Sequence, residues 1–183
     1  VTTVHGWTSE NFKVRLYERI QANLWRWFDH VIAVSRSYAG RAASFGVRRG
    51  RLTIVHNAIK SSYAGGEEGA RAATRTALGL EADAIVVAII GRLGIEKGHA
   101  LLLEAVSRLV AAHPRLRLLV IGEGAERASI AQRIAALQIA DRVQMLGHRD
   151  DLPSLYPGID LLAITSLREG LPNVLLEAML HGI

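Results

Sequence analysis

The sequence predicts an α/β fold in which parallel strands and helices alternate in two successive units. The first observation is the alternation itself, because short apolar or β-branched runs are repeatedly followed by longer segments with apolar residues at helical spacing. The second is the run from Ala84 to Ile90, which is apolar throughout and is typical of a parallel strand covered on both faces. The third is a break from His56 to Arg71, where glycine, serine and glutamate replace apolar residues. We therefore place a domain boundary at this break, between residues 1–59 and residues 60–183.

The first unit is predicted to contain three strands joined by two helices. The strands cover 1–4, 30–35 and 51–55, and the helices cover about 10–28 and 36–45. The first helix is identified by apolar residues at helical spacing: Phe12, Leu16, Ile20, Leu24 and Trp27. Ser35 is placed to cap the second helix, and Gly46 to end it.

The second unit continues the alternation with four more strands. Strands are predicted at 84–90, 117–121, 142–146 and 159–164, with helical segments at about 70–78, 99–112, 126–137, 152–156 and from Pro172 onward. Parallel strands connected in this way take right-handed crossovers. Ligands in open α/β sheets bind in loops at the carboxyl ends of the strands, so we expect any site there.

Composition excludes several classes of protein. Half of the 183 residues are apolar, which is enough for a core, but no run of 18 apolar residues could form a membrane span. The absence of cysteine excludes disulfides and thiolate metal sites and is consistent with a reducing cytoplasm. No segment resembles a secretory signal, so we expect a cytoplasmic location. The chain begins with Val1, and both of its ends look cut, so we expect both units to be incomplete.

The formal charge of +5 is unevenly distributed along the chain. Five arginines occur with no acid among them: Arg36, Arg41, Arg48, Arg49 and Arg51. Such a group attracts phosphate-rich surfaces, which would place the protein peripherally on the inner face of an anionic membrane. An ordinary solvated surface is the alternative interpretation.

The segment from Thr165 to Glu177 is the stretch around which the chain is organised. A strand ends, a turn with Gly170 follows, and Pro172 suits the first turn of a helix. Free backbone N–H groups and the positive end of a helix dipole therefore meet at the mouth of a sheet, where an anion can bind. Glu169 and Glu177 bracket the turn, and carboxylates accept hydrogen bonds from sugar hydroxyls. The pattern predicts a nucleotide-sugar site, and a helix start with two solvated acids is the alternative interpretation.

A second loop, from Gly91 to Gly98, supplies two cations after the apolar strand. Arg92 offers a planar fork and Lys97 a point charge, and both can reach a pyrophosphate lying over the strand ends. Glycine lets the backbone approach the ligand. An ordinary charged surface loop is the alternative.

Together, these two segments resemble the motifs of family 4, the retaining glycosyltransferases of the GT-B type. Glu169 and Glu177, with Gly-Leu-Pro between them, resemble its E-x7-E motif, and Gly91-Arg92 with Lys97-Gly98 resembles its G-R-x…K-G motif. The resemblance covers nearly the whole chain and implies two Rossmann-like units, with residues 1–59 on the acceptor side and residues 60–183 on the donor side. It also implies a nucleotide diphosphate sugar donor, no cofactor and no metal. It also implies that the leaving phosphate itself takes the acceptor proton, that Glu169 holds sugar hydroxyls and that Glu177 holds the ribose.

Weaker matches extend the resemblance to other loops. Gly122 and Gly124 resemble the family's G-x-G loop near the nucleotide, although a tight turn explains them equally well. His148 and Arg149 lie in a segment where family members hold the nucleobase, largely through backbone groups. His5, before Gly6, resembles a histidine that contacts the transferring sugar in many family members, and a purely structural histidine is the alternative.

One junction departs from the family pattern. Ala58 and Lys60 differ from the family's Asn-Gly-hydrophobic-Asp junction, which puts the hinge conformation in doubt.

The candidate catalytic residues are His5, Arg92, Lys97 and Glu169. The candidate donor-binding residues are Gly91, Arg92, Lys97, Gly122, Gly124, His148, Arg149, Gly170, Leu171, Pro172, Asn173 and Glu177. The acceptor stays open among a lipid-linked sugar, a polysaccharide and a small metabolite. No nucleic-acid partner is expected, because aromatic RNA-reading residues and a helix-turn-helix pattern are missing.

Two other functions compete with glycosyl transfer. A nucleotide-sugar epimerase or a sugar-phosphate synthase of the same fold would share the phosphate loop. A non-enzymatic basic module that binds polyanions would show salt-dependent binding without preference for nucleotide sugars.

Overall fold

The computed structural model describes residues 1–4, 12–59, 69–167 and 169–183. The chain divides into two compact units, one formed by Val1–Ala58 with Arg168–Asn173 and the other by Ile59–Leu167 with Val174–Ile183. The boundary predicted between residues 59 and 60 borders the segment 60–68, which lies outside the described residues. The assignment of acceptor and donor roles to the two units stays a prediction.

The first unit has a parallel three-stranded sheet in the order β1-β2-β3. Its strands are β1 (Thr2–Val4), β2 (Val31–Ala33) and β3 (Leu52–Ile54), and its helices are α1 (Phe12–Leu24) and α2 (Arg36–Ser44). The predicted cap of α2 is confirmed, because the Ser35 hydroxyl accepts a hydrogen bond from the Tyr38 amide at 3.3 Å. Gly46 ends the helix with a φ of 87°, a conformation that favours glycine.

Helix α1 does not bury the apolar stripe that identifies it in the sequence. Its buried residue is Ala22, and the core of the unit gathers Val4, Ala22, Trp25, Val31, Ala42 and Val47. The stripe residues Phe12, Leu16, Ile20, Leu24 and Trp27 are all exposed within the described residues. The sequence therefore predicts the helix correctly but not its buried face, since a small alanine and the following Trp25 make the contact with the core.

The second unit has a parallel four-stranded sheet in the order β6-β5-β4-β7. Its strands are β4 (Ile85–Ile90), β5 (Leu116–Ile121), β6 (Val143–Gly147) and β7 (Leu161–Leu162). Its helices are α3 (Ala70–Ala77), α4 (His99–Leu109), α5 (Arg127–Ala136), α6 (Leu152–Leu155) and α7 (Asn173–Leu180). Both units alternate strands and helices around parallel sheets, which confirms the predicted fold class.

Strand β4 is covered on both faces, as its apolar run predicts. Val86, Ala88 and Ile90 belong to one buried cluster, whereas Ile89 belongs to the other, with Val87 packed against it. Successive side chains of a strand point to opposite faces, so the two clusters lie on the two sides of the sheet.

A buried cation ties helix α3 to the start of β7. Arg75 is only 3% exposed, and its guanidinium donates to Asp160 Oδ2 at 2.7 Å and to the carbonyl oxygen of Gly158 at 3.3 Å. Asp160 also accepts from the Val86 amide at 2.7 Å and from Arg71. Burial works to raise the pKa of Asp160, but these hydrogen bonds and the two arginine charges outweigh it, so the pKa is lowered.

The strand predicted at 159–164 is shorter than expected, since regular pairing covers only Leu161–Leu162. Single ladder bonds continue on either side, from the Asp160 amide to the Val86 carbonyl and from the Ala163 amide to the Ala88 carbonyl. The Asp160 side chain takes the Val86 amide as well, which explains the irregular start of the strand.

Candidate functional site

The loops that follow β4 and β5 are joined by backbone hydrogen bonds at the carboxyl edge of the second sheet. The Gly91 amide donates to the Ile121 carbonyl, and the Leu93 amide donates to the Glu123 carbonyl, both at 2.9 Å. In return, the Glu126 amide donates to the Leu93 carbonyl at 3.0 Å. The two loops therefore form one packed layer.

The neighbouring loops are joined to this layer on both sides. The Gly122 amide donates to the Gly147 carbonyl at the end of β6, at 2.7 Å. On the other side, the Leu167 amide donates to the Glu96 carbonyl at 2.8 Å, and the Thr165 hydroxyl donates to the Lys97 carbonyl at 2.9 Å. Four consecutive strand ends thus present a continuous surface of loops.

Gly122 and Gly124 are required by the contact between these loops. A Cβ on Gly122 would lie 1.9 Å from the Gly91 carbonyl oxygen, and a Cβ on Gly124 would lie 2.4 Å from the Leu93 carbonyl oxygen. Gly122 also has a φ of 140°. The predicted G-x-G loop therefore has a packing function, while its contact with a nucleotide stays a prediction.

The two cations of the loop 91–98 have different surroundings. The Lys97 side chain folds back over the end of β4, because its Nζ lies 3.8 Å from where a Cβ of Gly91 would be. Arg92 donates to Glu96 Oε1 at 2.7 Å, and its side chain is 44% exposed. Glu96 thus orients the arginine, a role that the sequence analysis missed although the two residues are four apart.

The residue after this loop, His99, is buried at the start of α4. Burial holds its pKa below the ordinary value of a histidine. Burial therefore favours the neutral form of His99 beside the loop that carries Arg92 and Lys97.

Glu177 is held by a buried tyrosine. The Tyr156 hydroxyl donates to Glu177 Oε2 at 2.6 Å, and the Tyr156 ring, which is 1% exposed, stacks on His181 at 5.0 Å between ring centroids. The bond fixes one carboxylate oxygen of a residue in the middle of α7. Nothing in the sequence indicates this pairing, because the two residues are 21 positions apart.

The turn before α7 belongs to the first unit. Asn57 donates from its side-chain amide to the Leu171 carbonyl at 2.8 Å, and a Cβ on Gly170 would lie 2.5 Å from a ring carbon of Tyr38. Helix α7 begins at Asn173, directly after Pro172. Gly170 is therefore needed where the turn passes the tyrosine ring.

The two glutamates of the predicted motif fall in different units, Glu169 in the first and Glu177 in the second. The predicted catalytic His5 lies outside the described residues.

His148 and Arg149 each contact an aspartate inside their own loop. His148 lies 3.0 Å from Asp150, and Arg149 makes two hydrogen bonds to Asp151, at 2.6 and 2.7 Å. The hydrogen bond from Arg149 is the main reason why the pKa of Asp151 is lowered to about 2. Base recognition by these two side chains stays a prediction.

The described residues contain neither a candidate metal cluster nor a candidate membrane-spanning helix. Within 1–4, 12–59, 69–167 and 169–183, no group of three His, Cys, Asp or Glu residues could hold a metal ion. In the same part of the chain, no helix has the length and apolar character needed to cross a membrane.

Two parallel α/β units, with loops packed at the carboxyl edge of the second sheet, define the GT-B class of glycosyltransferase fold, and solved structures agree. Anabaena Alr3699/HepE, solved in complex with UDP and glucose, superimposes with a TM-score of 0.86 at 27% identity over 99% of this chain and 50% of that one. Its complex with UDP-glucose gives the same TM-score and identity over 98% and 50%. The chain belongs to the glycosyl transferases group 1 family, whose model matches residues 70–183, and the model of glycosyltransferase family 4 matches residues 1–63.

Curated relatives support the same family. The chain is 35% identical over 111 residues to the lipopolysaccharide core biosynthesis glycosyltransferase LpsE of Rhizobium meliloti, covering 61% of this chain and 32% of that protein. It is 34% identical over 139 residues to D-inositol 3-phosphate glycosyltransferase of Mycobacteroides abscessus, covering 72% and 30%. The chain thus spans about a third of the length of these relatives.

Proposed function

We propose that this chain carries the donor-binding part of a retaining glycosyltransferase that transfers a sugar from a nucleotide diphosphate sugar to an acceptor hydroxyl. The observation that carries the proposal is the loop layer of the second unit, where Lys97 folds over the end of β4 and Tyr156 orients Glu177. Family membership and the UDP-glucose complex of a similar protein support the donor class.

Catalysis in this proposal is electrostatic. Arg92 and Lys97 offset the negative charge that grows on the leaving phosphate, and the first turn of α7 offers backbone N–H groups to the same end. Charge that develops only in the transition state is stabilised there more than in the bound substrate, so these groups raise turnover. The leaving phosphate takes the acceptor proton, and no protein base is required.

The two glutamates have separate roles in the proposal. Glu177, held by Tyr156, accepts hydrogen bonds from the ribose hydroxyls. Glu169 accepts hydrogen bonds from the transferring sugar, and His5 contacts the same sugar. Gly91, Gly122 and Gly124 let the backbone approach the diphosphate.

The acceptor belongs to the whole protein. The relatives named above act in lipopolysaccharide core biosynthesis and on D-inositol 3-phosphate, which keeps lipid-linked and small-molecule acceptors open for this chain.

Product analysis with a labelled donor tests the proposed reaction. The complete protein, given a UDP-sugar labelled in the sugar, should form product only when an acceptor is added, and NMR of the product should show the anomeric configuration of the donor. Formation of an epimer without acceptor would favour the epimerase, and an inverted anomer would contradict retention.

We propose that the reaction needs no metal, because cations and a helix terminus replace the carboxylates that a metal would require around the diphosphate. Transfer should therefore persist in excess chelator. Loss of transfer with recovery on adding magnesium or manganese would overturn this part of the proposal.

We also propose a peripheral position on an anionic membrane for the first unit. Arg36 starts α2, while Arg48, Arg49 and Arg51 follow its end, and exposed apolar residues of α1 add a surface for lipid. The protein should sediment with phosphatidylglycerol vesicles at low salt and be released at high salt. Equal recovery with neutral vesicles would contradict it.

A further inference from the structure

Three arginines of the first unit, Arg26, Arg48 and Arg51, line one cavity. Arg48 and Arg51 belong to the predicted group of five arginines, whereas Arg26 does not. The cavity measures about 340 Å³ and is lined by Arg26, Trp27, Phe28, Gly46, Val47, Arg48 and Arg51. Its volume falls in the range of about 300–1,000 Å³ that is typical of small-molecule sites.

The topology explains why these residues meet. Phe28 is followed within a few residues by β2, and Arg51 directly precedes β3. The strands are parallel, so both segments lie at the amino edge of the first sheet. The end of α2 meets the first of these segments, because the ring of Trp25 contacts that of Phe45 edge-on at 5.9 Å between centroids.

Local backbone geometry aims two arginines into the cavity and leaves a third outside it. Residues Arg49–Arg51 form a 3-10 turn, closed by a hydrogen bond from the Arg51 amide to the Arg48 carbonyl at 2.9 Å. Side chains three residues apart share a face in such a turn. Arg48 and Arg51 therefore line the cavity, whereas Arg49 does not.

The guanidinium groups in the cavity have no carboxylate partner in the part of the chain that the structure describes. Among the described residues, Arg26, Arg48 and Arg51 form no ion pair with a carboxylate, and no acid lines the cavity. Arg26 lies over the Trp27 ring, with its Cζ 5.8 Å from the centroid, which leaves its donors available. Three cations facing one space repel each other, and a bound anion would relieve that repulsion.

Helix capping does not explain these arginines. Three of the last four carbonyls of α2 already accept hydrogen bonds, because the amides of Phe45, Gly46 and Val47 donate to Arg41 at 3.2 Å, Ala43 at 2.9 Å and Ala42 at 3.2 Å. The arginine side chains are therefore not needed at the C-terminus of α2.

We propose that this cavity binds a phosphate ester whose substituent is apolar. Guanidinium forks match phosphate oxygens with paired hydrogen bonds, and the faces of Trp27 and Phe28 provide a wall for an aromatic or aliphatic group. The ligand is either a soluble phosphate ester or the phosphate of a lipid headgroup, and both present this chemistry. The site lies at the edge of the first sheet opposite to the carboxyl ends of its strands, and none of the residues that line it belongs to the predicted donor-binding set.

The site is tested by NMR with soluble probes. Phenyl phosphate and inorganic phosphate are titrated into the full chain, and the backbone amides of Gly46, Val47 and Arg51 are followed. We expect saturable shifts with both probes and tighter binding of phenyl phosphate. Arg51→Gln should weaken binding by about tenfold or more, which corresponds to the loss of one charge-assisted hydrogen bond.

Matched variants distinguish a specific phosphate site from non-specific attraction of anions by positive charge. Arg49→Gln removes the same charge two residues away and should leave the shifts at Gly46 and Arg51 unchanged. If Arg51→Gln perturbs the backbone spectrum, Arg48→Gln replaces it. Equal weakening by Arg49→Gln and Arg51→Gln, or the absence of saturable shifts at these amides, would overturn the proposal.

A vesicle experiment identifies the source of the ligand. Phosphatidylcholine vesicles with and without phosphatidic acid are sedimented with the wild type, Arg51→Gln and Arg49→Gln. A lipid ligand predicts that binding to phosphatidic acid falls more in Arg51→Gln than in Arg49→Gln, and that phenyl phosphate displaces the wild type from these vesicles. A soluble ligand predicts the NMR result alone, with equal sedimentation of the two variants.

Discussion

At the scale of single residues, the candidate site is defined by which partner each charged side chain takes. Arg92 is oriented by Glu96, and Glu177 is oriented by Tyr156, so both charged groups are positioned before a donor arrives. Positioning in advance reduces the side-chain entropy that binding must otherwise remove. The position of Lys97 over the end of β4 is set instead by the fold of its own loop.

The first prediction concerns the two cations of this loop. Arg92→Ala and Lys97→Ala should each raise the barrier to transfer by about 2–4 kcal/mol, the usual effect of losing one electrostatic donor. Donor affinity should fall less than turnover, because the leaving phosphate gains charge in the transition state. Steady-state kinetics of the complete protein measures both quantities.

Arg115→Ala is the matched control for this prediction. Arg115 directly precedes β5, at the opposite edge of the same sheet, and its side chain is exposed. Turnover in this variant should equal that of the wild type. Near-wild-type turnover in both loop variants would remove the loop from the mechanism.

The second prediction concerns the orientation of Glu177. Glu177→Gln should weaken the binding of nucleoside diphosphate and of nucleotide sugar by similar free energies, about 1.5–3 kcal/mol. The reason is that the substitution removes charge-assisted hydrogen bonds to the ribose. Tyr156→Phe keeps the carboxylate and the ring stacking but frees one oxygen, so it should weaken both ligands by about 1 kcal/mol. Calorimetry measures these affinities.

A glutamate that serves only packing would behave differently. If Tyr156→Phe and Glu177→Gln lower the free energy of unfolding without changing nucleotide affinity, the proposed ribose contact is wrong. Glu104→Gln, on the surface of α4, is the control for loss of a negative charge.

At the scale of elements, the sequence predicts strands, helices and their order well, because apolar periodicity and turn residues are local signals. The cap of α2 by Ser35 and the two-faced burial of β4 follow from such signals. The buried face of α1 could not be predicted, since its apolar stripe is more prominent than the Ala22 that contacts the core. The pairing of Tyr156 with Glu177 joins α7 to a residue far away in sequence, which a single sequence does not encode visibly.

The third prediction concerns the contact between the loops that follow β4 and β5. Gly122→Ala should lower the free energy of unfolding by about 3 kcal/mol or more, since it adds a severe overlap to backbone strain. Gly79→Ala is the control, because Gly79 has a φ of 65° but no atom within 4 Å of an added Cβ. Backbone strain alone should lower the free energy of unfolding of Gly79→Ala by about 1–2 kcal/mol. Equal losses in urea unfolding would show that the loops separate freely.

The fourth prediction concerns the anchor of α3. Asp160→Asn should lower the free energy of unfolding by about 2–4 kcal/mol at neutral pH, because it leaves Arg75 buried without its partner. Asp83→Asn removes an exposed pair with Arg115 and should cost no more than about 1 kcal/mol.

The same carboxylate makes stability depend on pH. The folded pKa of Asp160 is lowered, so its contribution is present above its unfolded value of about 4 and is lost as the pH falls through the lower folded value. The free energies of unfolding of the wild type and of Asp160→Asn should therefore converge as the pH falls below about 4. A constant difference across acidic pH would contradict the role of the ionised carboxylate.

At the scale of the whole molecule, each unit has its own parallel sheet and its own buried clusters. The donor chemistry is assigned to loops of the second unit, whose hydrogen bonds with one another are already formed. The sequence locates these loops because glycines and cations punctuate strand ends. It could not distinguish glycines needed for packing, such as Gly122, from glycines that admit a ligand.

We propose above that a nucleotide diphosphate sugar binds at the carboxyl edge of the second sheet. Calorimetry measures this binding without requiring the acceptor. UDP-, GDP- and ADP-glucose are titrated into the wild type, into Lys97→Ala/Glu177→Gln and into the charge-matched control Arg115→Ala/Glu104→Gln. We expect one nucleotide sugar to bind saturably to the wild type and to the control. Its affinity for Lys97→Ala/Glu177→Gln should be lower by about a hundredfold. Failure of every nucleotide sugar to bind the wild type, or equal affinity of both double variants, would contradict it.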